Sequence, residues 1–260
     1  MDRNDGVSDP GSSRRRGDVT PRPRRAFLGW LGAVSLLAGA VRPASGEEPA
    51  PDTRLPDEDA VARRFGAERE AAAWTADQDW DMSWVEKLTA PHKAVFDSPG
   101  VGKGMALYRA IGWCKQYNKV LGTPRSEMNP VLVYRHESIP LVMDDSYWET
   151  FHVGKTVKMK NDKTGKWYTT NPIRTVPPDT PAQWADFDLE HYLADGGIVL
   201  ACNMAFADVV TQYQDRGKLT RADARTEALK HLVPGVILQP SGIFAVLRAQ
   251  EAGCEYVMAG

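Results

Sequence analysis

Apolar positions along this chain change their period several times, and each change marks the edge of an element. Runs at 92–96, 130–134, 198–201, 236–238 and 256–258 are short and almost continuously apolar, the pattern of strands buried on both faces. Between them the spacing lengthens to three or four. Along 102–121, Leu107, Ala110, Ile111, Cys114, Asn118 and Leu121 fall on one side of a predicted helix. A short helix behind an aspartate cap is predicted at 144–151, further helices at 187–194 and 243–252, and a helix broken near Gly217 at 204–233. The alternation at 155–168 around Asn161-Asp162-Lys163-Thr164-Gly165 predicts a β-hairpin. Strand and helix in repeated alternation call for an α/β fold: an open, mostly parallel sheet of about five strands with helices on both faces, of the flavodoxin-like kind.

The first ninety residues follow a different pattern. An Ala-, Glu- and Arg-rich stretch at 58–74, then Trp80, Trp84 and Leu88 spaced four apart, predict a helical extension over 59–91. Residues 47–58 are rich in Pro, Glu and Asp without apolar period and read as a flexible linker. Before them a basic leader, an apolar stretch from Ala26 to Ala40 and the small residues Ala44-Ser45-Gly46 read as an export signal. That apolar stretch is shorter than the ~20 residues a membrane-spanning helix needs. The motif PRRAFLGW, with adjacent Arg24 and Arg25 before Phe27 and Leu28, resembles a twin-arginine signal, with Gly29 where lysine is frequent. The expected organisation is therefore a signal peptide at 1–46, a linker, the helical extension, and an α/β domain at 92–260 with a hairpin insertion at about 155–172. A periplasmic or otherwise exported location without a stable membrane anchor follows. An uncleaved basic tail with an apolar anchor is the alternative.

Charge and cysteine content narrow the function classes. The chain has 260 residues, 42% hydrophobic and 25% charged, a globular composition. Residues 1–46 hold eight of the 32 basic and four of the 34 acidic side chains, so the remainder has 24 basic and 30 acidic groups. That acidic balance disfavours nonspecific nucleic-acid binding, which neutralises phosphates with Lys and Arg. Three cysteines leave at least one thiol outside any intrachain disulfide.

In a parallel sheet, ligands sit at the carboxyl ends of the strands. The residues falling there are Asp97-Ser98, Arg135-His136-Glu137, Cys202-Asn203 and Gln239-Pro240-Ser241-Gly242. Cys202 ends an apolar strand where a helix begins, so the helix dipole and nearby N–H groups favour the reactive thiolate; the plain alternative is a small buried hydrophobe. His136 and Arg135 can supply a base and positive charge beside it, as a Cys–His arrangement requires, or His136 is a solvated loop residue. Asn203, Ser241, Gly242 and Asp97 complete the expected binding set. Cys114 and Cys254 read as packing residues.

Other chemistries lack their spacing. The five histidines show no His-x-His or His-Glu-x-x-His pattern and the cysteines no Cys-x-x-Cys, so no metal site and no cofactor are expected. The segment PGVGKG at 99–104 lacks the phosphate-loop spacing: position 97 is Asp, and Lys103 is followed by Gly104. Lys155, Lys158, Lys160, Lys163 and Lys166 crowd the predicted hairpin, as a solvated arm or a docking surface.

The order GGIVLACNMAF followed by LVPGVILQPSGIFAVLRAQEAGCEYVMA is similar to the DsrE family of sulfur-handling α/β proteins. It shows a strand ending in Cys, a helix of small residues, a strand, a Ser/Gly turn, a helix carrying Gln and a closing strand. The resemblance covers about 92–260 in element order and is specific from Gly196 onward. It implies that Cys202 accepts a sulfane sulfur as a persulfide, with a small sulfur compound or anion as partner. A noncatalytic ligand-binding or homo-oligomerising module of the same fold is the alternative.

Overall fold

The computed structural model describes residues 79–260. The expected signal peptide, the linker and the helical extension up to residue 78 lie outside the described residues. Within 79–91 there is a single four-residue helix, α1 (Ser83–Glu86), which buries Trp84.

The chain then alternates through β1 (His92–Ser98), α2 (Met105–Leu121), β2 (Met128–Tyr134), the short helices α3 (Asp145–Thr150), α4 (Val153–Thr156) and α5 (Leu189–Ala194), and β3 (Ile198–Cys202). It continues through α6 (Asn203–Gly217), α7 (Arg221–Lys230), β4 (Ile237–Gln239), α8 (Gly242–Glu251) and β5 (Glu255–Met258). All five strands are parallel, in the order β4-β3-β2-β1-β5. The sheet is thus wholly rather than mostly parallel, and its order departs from the flavodoxin arrangement 2-1-3-4-5.

The reason for that order lies in the crossovers. From β1 to β4 each strand steps one place in the same direction, so right-handed connections keep their helices on one face. There Leu132, Tyr134, Val199 and Ala201 pack with Leu107 and Ala110 of α2 and with Phe206 and Val210 of α6. The last crossover runs back to the far side of β1, which places α8 on the opposite face. Ala245, Val246 and Ala249, spaced as one stripe of α8, meet Val131, Val133, Leu200 and the Trp84 ring there.

Local chemistry explains several boundaries. Pro130 stands in β2 opposite Ala94 of β1, one residue before pairing with β3 begins at Val131, so its missing N–H removes no bond from the β3 ladder. Its carbonyl accepts the Tyr192 hydroxyl at 3.0 Å instead. Asp144 caps α3 through the Tyr147 N–H at 2.8 Å, as expected. Gly104, at φ +78°, opens α2 and lies where an added Cβ would be 2.3 Å from Ile173 Cγ2, so PGVGKG is a turn packed under the 171–174 segment.

The hairpin at 155–172 is not formed. Its first residues belong to α4, and the remainder is a turn closed by one antiparallel bridge, Lys160 to Trp167, with the Lys160 ammonium 4.4 Å from the Trp167 ring centre. Val157 ends α4 as its C-cap and Lys158 is left-handed at φ +56°, so the backbone is not extended before Met159, although Val157, Met159 and Tyr168 do pack on the core.

Candidate functional site

The loop after β3 leads to α6 on one face of the sheet, whereas the loop after β4 leads to α8 on the other. This divergence opens a cleft of about 380 Å³ outside the carboxyl ends of β2, β3 and β4. Its walls carry Arg135, His136 and Glu137 from the β2 end, Cys202 and Asp208 from the β3 side, and Ser241 and Gly242 from the β4 side.

Cys202 is the hinge between strand and helix. Its backbone is extended, at φ −72° and ψ 113°, and its Sγ accepts the Ala205 N–H at 3.4 Å, capping α6. The thiol sits at the positive end of a 15-residue helix and is 6% exposed. On the adjacent strand, Gln239 pairs with Cys202 in register, and two residues on Ser241 caps α8 through the Phe244 N–H at 3.1 Å. Two helix N-termini therefore flank one cleft.

Arg135 supplies the full positive charge. Its guanidinium forks onto the buried Asp97, Nε to Oδ1 at 2.8 Å and an Nη to Oδ2 at 2.9 Å, and the Tyr256 hydroxyl donates to Oδ2 at 2.9 Å. The Asp97 hydrogen bonds raise the Arg135 pKa, and the charges of Asp97, Tyr256 and Cys202 add in the same direction against partial desolvation. Desolvation first, then the Asp97 hydrogen bond, raises the pKa of Tyr256. The arginine stem lies against Gly242, where an added Cβ would be 2.4 Å from Arg135 Cβ. Glycine is the side chain this approach permits.

His136 holds a left-handed backbone, φ +56°, uncommon for a residue with a side chain. The next turn is pinned by Ser138, whose Oγ accepts the Arg135 N–H at 3.0 Å and donates to the Ser98 carbonyl. These bonds fix the position from which Arg135 and His136 enter the cleft.

Five of the expected site residues thus share one cavity: Cys202, His136, Arg135, Ser241 and Gly242. Two do not line it. Asp97 lies behind Arg135 and orients it, and Asn203 turns inward, 2% exposed, with its Oδ1 lacking a hydrogen-bond partner. Acidic groups join the five: Glu137, already placed at a strand end by the sequence though not in the expected binding set, and Asp208, which lies a helical turn beyond any strand end. Tyr256 was missed because it reaches Asp97 only through the placement of β5 beside β1.

The other thiols differ from Cys202. Cys254 is buried among the α8-side core residues, as expected. Cys114 is not core: it is half-buried and lines a second cleft between α2 and α5. Burial pushes both thiols up to about 11, so both are protonated at neutral pH. Among the described residues, no group of three or more His, Cys, Asp or Glu side chains is arranged to hold a metal ion, and no helix is long and apolar enough to cross a membrane. Comparison of the chain with protein-family models, curated proteins and solved structures finds no match, so fold and cleft rest on the residues described above.

Proposed function

We propose that this chain is an exported, DsrE-like protein that carries a small sulfur species on Cys202. The observation that carries the reading is the placement of the Cys202 thiol at the N-terminus of α6, in a cleft shared with Arg135 and His136. The element order from Gly196 onward, a strand ending in Cys, the Ser241-Gly242 turn, a helix with Gln250 and a closing strand, supports the family resemblance.

The chemistry balances with thiosulfate as donor. His136 accepts the thiol proton; the Cys202 thiolate attacks the outer sulfur; an S–S bond to Cys202 forms as the S–S bond of thiosulfate breaks, and its electron pair leaves with sulfite. The persulfide anion then faces Arg135 and the two helix N-termini, which stabilise negative charge. Incubation of the protein with thiosulfate or polysulfide is expected to add the mass of one sulfur atom, removable by reductant and lost in Cys202→Ser. Absence of an adduct, or an adduct only on Cys114 or Cys254, rules the carrier reading out.

The low exposure of Cys202 favours a second reading, a noncatalytic module in which Arg135 and the helix N-termini hold a small anion. Under that reading Cys202→Ser keeps full affinity for sulfate, measured calorimetrically, and no sulfur adduct forms.

Export rests on Arg24, Arg25, Phe27 and Leu28. Replacing both arginines by lysine is expected to retain the full-length chain in the cytoplasm, read by cell fractionation. Undiminished delivery to the periplasm counts against the twin-arginine route.

A further inference from the structure

A second cavity is larger than the one that holds Cys202. It lies between α2 and α5, towards the amino ends of the strands, and has a volume of about 640 Å³. That is within the range of small-molecule sites, roughly 300–1,000 Å³. Its floor is apolar: Ile111, Pro130 and the Tyr192 ring, with the Cys114 thiol among them.

Its two walls carry opposite charge. The α2 wall and the turn before β2 contribute Lys115 and Arg125; the α5 wall contributes Asp186 and Asp195. Each cation reaches across to one carboxylate, Lys115 Nζ to Asp186 Oδ2 at 2.6 Å and Arg125 Nε to Asp195 Oδ2 at 2.7 Å. Both pairs are solvent-exposed, three of their four side chains by more than a third. Exposed pairs contribute little stability, so either one opens at small cost and offers its charges to another partner.

We infer that this cleft is a second ligand site, separate from the Cys202 cleft, and that it takes a short zwitterionic peptide with apolar side chains. A simple anion entering it meets two carboxylates, and a simple cation meets two basic groups. A molecule bearing both charges replaces one partner in each pair. Its ammonium faces Asp186 or Asp195 while its carboxylate takes the cation of the other pair, and its side chains cover the floor between them. A peptide, with its ammonium and carboxylate at opposite ends and apolar side chains between them, matches two charged pairs flanking an apolar floor better than a single amino acid, whose two charges flank one carbon. The Lys115 ammonium, 5.1 Å from the Phe187 ring centre, is held at the mouth in position to act. His191, its Nδ1 tied to the buried Asp188 at 2.9 Å, leaves Nε2 on the same wall for a peptide N–H or carbonyl.

Titration calorimetry of the full chain tests this with three probes: leucyl-leucine, free leucine, and N-acetyl-leucyl-leucine amide, which keeps the apolar groups and lacks both charges. Leucyl-leucine is expected to bind and to slow alkylation of Cys114, whereas the uncharged analogue does neither. Free leucine is expected to bind at least about tenfold more weakly than the dipeptide, the equivalent of one lost charge-assisted contact. One diagonal set of variants, either Lys115→Gln and Asp195→Asn or Arg125→Gln and Asp186→Asn, weakens leucyl-leucine by a similar factor at each position, while Cys202→Ser leaves it unchanged. Absence of heat and of Cys114 protection, equal binding of the uncharged analogue, or affinities indifferent to both sets of variants overturn the inference and leave the ion pairs as clasps between α2 and α5.

Discussion

Replacing Asp97 by alanine is expected to destabilise the protein by about 3 kcal/mol, the lower end of what breaking a buried ion pair costs. Three hydrogen bonds end on this carboxylate, two from Arg135 and one from Tyr256, and it is only 2% exposed. Alanine leaves the guanidinium and the phenol facing a small apolar void. Arg135 is a quarter exposed, so it regains part of its hydration by swinging outward, which keeps the cost from rising further. That swing removes the positive charge from the Cys202 side of the cleft. Sulfur loading from thiosulfate is therefore expected to slow more than tenfold, as the stabilised anion loses a charge-assisted partner worth about 1.5 kcal/mol or more. Asp97→Asn retains the shape and one acceptor and is expected to fall between wild type and alanine in both measurements. A urea midpoint for Asp97→Ala equal to that of wild type defeats the structural part; unchanged loading in a folded variant defeats the functional part.

Gly242→Ala is expected to produce the next largest effect, about 1–3 kcal/mol of destabilisation, through overpacking rather than loss of a bond. The new methyl meets Arg135 at three stem carbons, with separations of 2.4, 2.6 and 3.0 Å in the present geometry. The nearest of them is Cβ, which cannot move without the β2 backbone, so either Arg135 leaves its fork with Asp97 or the start of α8 shifts. Gly112→Ala is the matching control. It lies within α2, an added Cβ there meets nothing within 4 Å, and alanine is the better helix former, so this variant is expected to gain about 0.5–1 kcal/mol. Thermal or urea unfolding of both variants, with Cys202 loading measured on each, separates strain at the site from a general response to added volume. Equal stability of the two contradicts the close approach of Arg135.

Much of this site was legible because two local signals coincide at each strand end. An apolar run that stops at Cys202, followed by helical spacing, places that residue at a strand-to-helix junction whatever the strand order. The same reasoning found Arg135-His136 and Ser241-Gly242. Lateral order is another matter, since periodicity describes one element at a time. The pairing of β5 with β1 depends on which face α8 covers, and only that pairing brings Tyr256 onto Asp97. Asn203 illustrates the limit within one helix turn: adjacent to Cys202 in sequence, it points into the protein because successive helical positions diverge by about 100°. Cys114 was misplaced for a related reason. Its neighbours Ala110 and Ile111 do face the core, but the short α5 does not cover α2 that far along, and the uncovered end became a cleft. At 155–168 the alternating Val157 and Met159 do reach the core, but a helical turn and the left-handed Lys158 take the place of the first extended strand.

The position of β5 also sets an order of events in time. Tyr256 and Asp97 are 159 residues apart in sequence, and the Asp97 carbonyl and the Arg109 guanidinium both hold Ala259, one through its N–H and the other through its carbonyl. Contacts of such long range form late, after the cost of closing the intervening chain has been met. While a growing polypeptide still lacks residues 255–258, the outer edge of β1 has its N–H and C=O groups unpaired beside a row of apolar side chains. An edge of that kind recruits other strands, including those of neighbouring nascent chains. The interval between completing β4 and docking β5 is therefore when aggregation competes most directly with folding, and the hydrogen bonds that orient Arg135 become complete only as that interval closes.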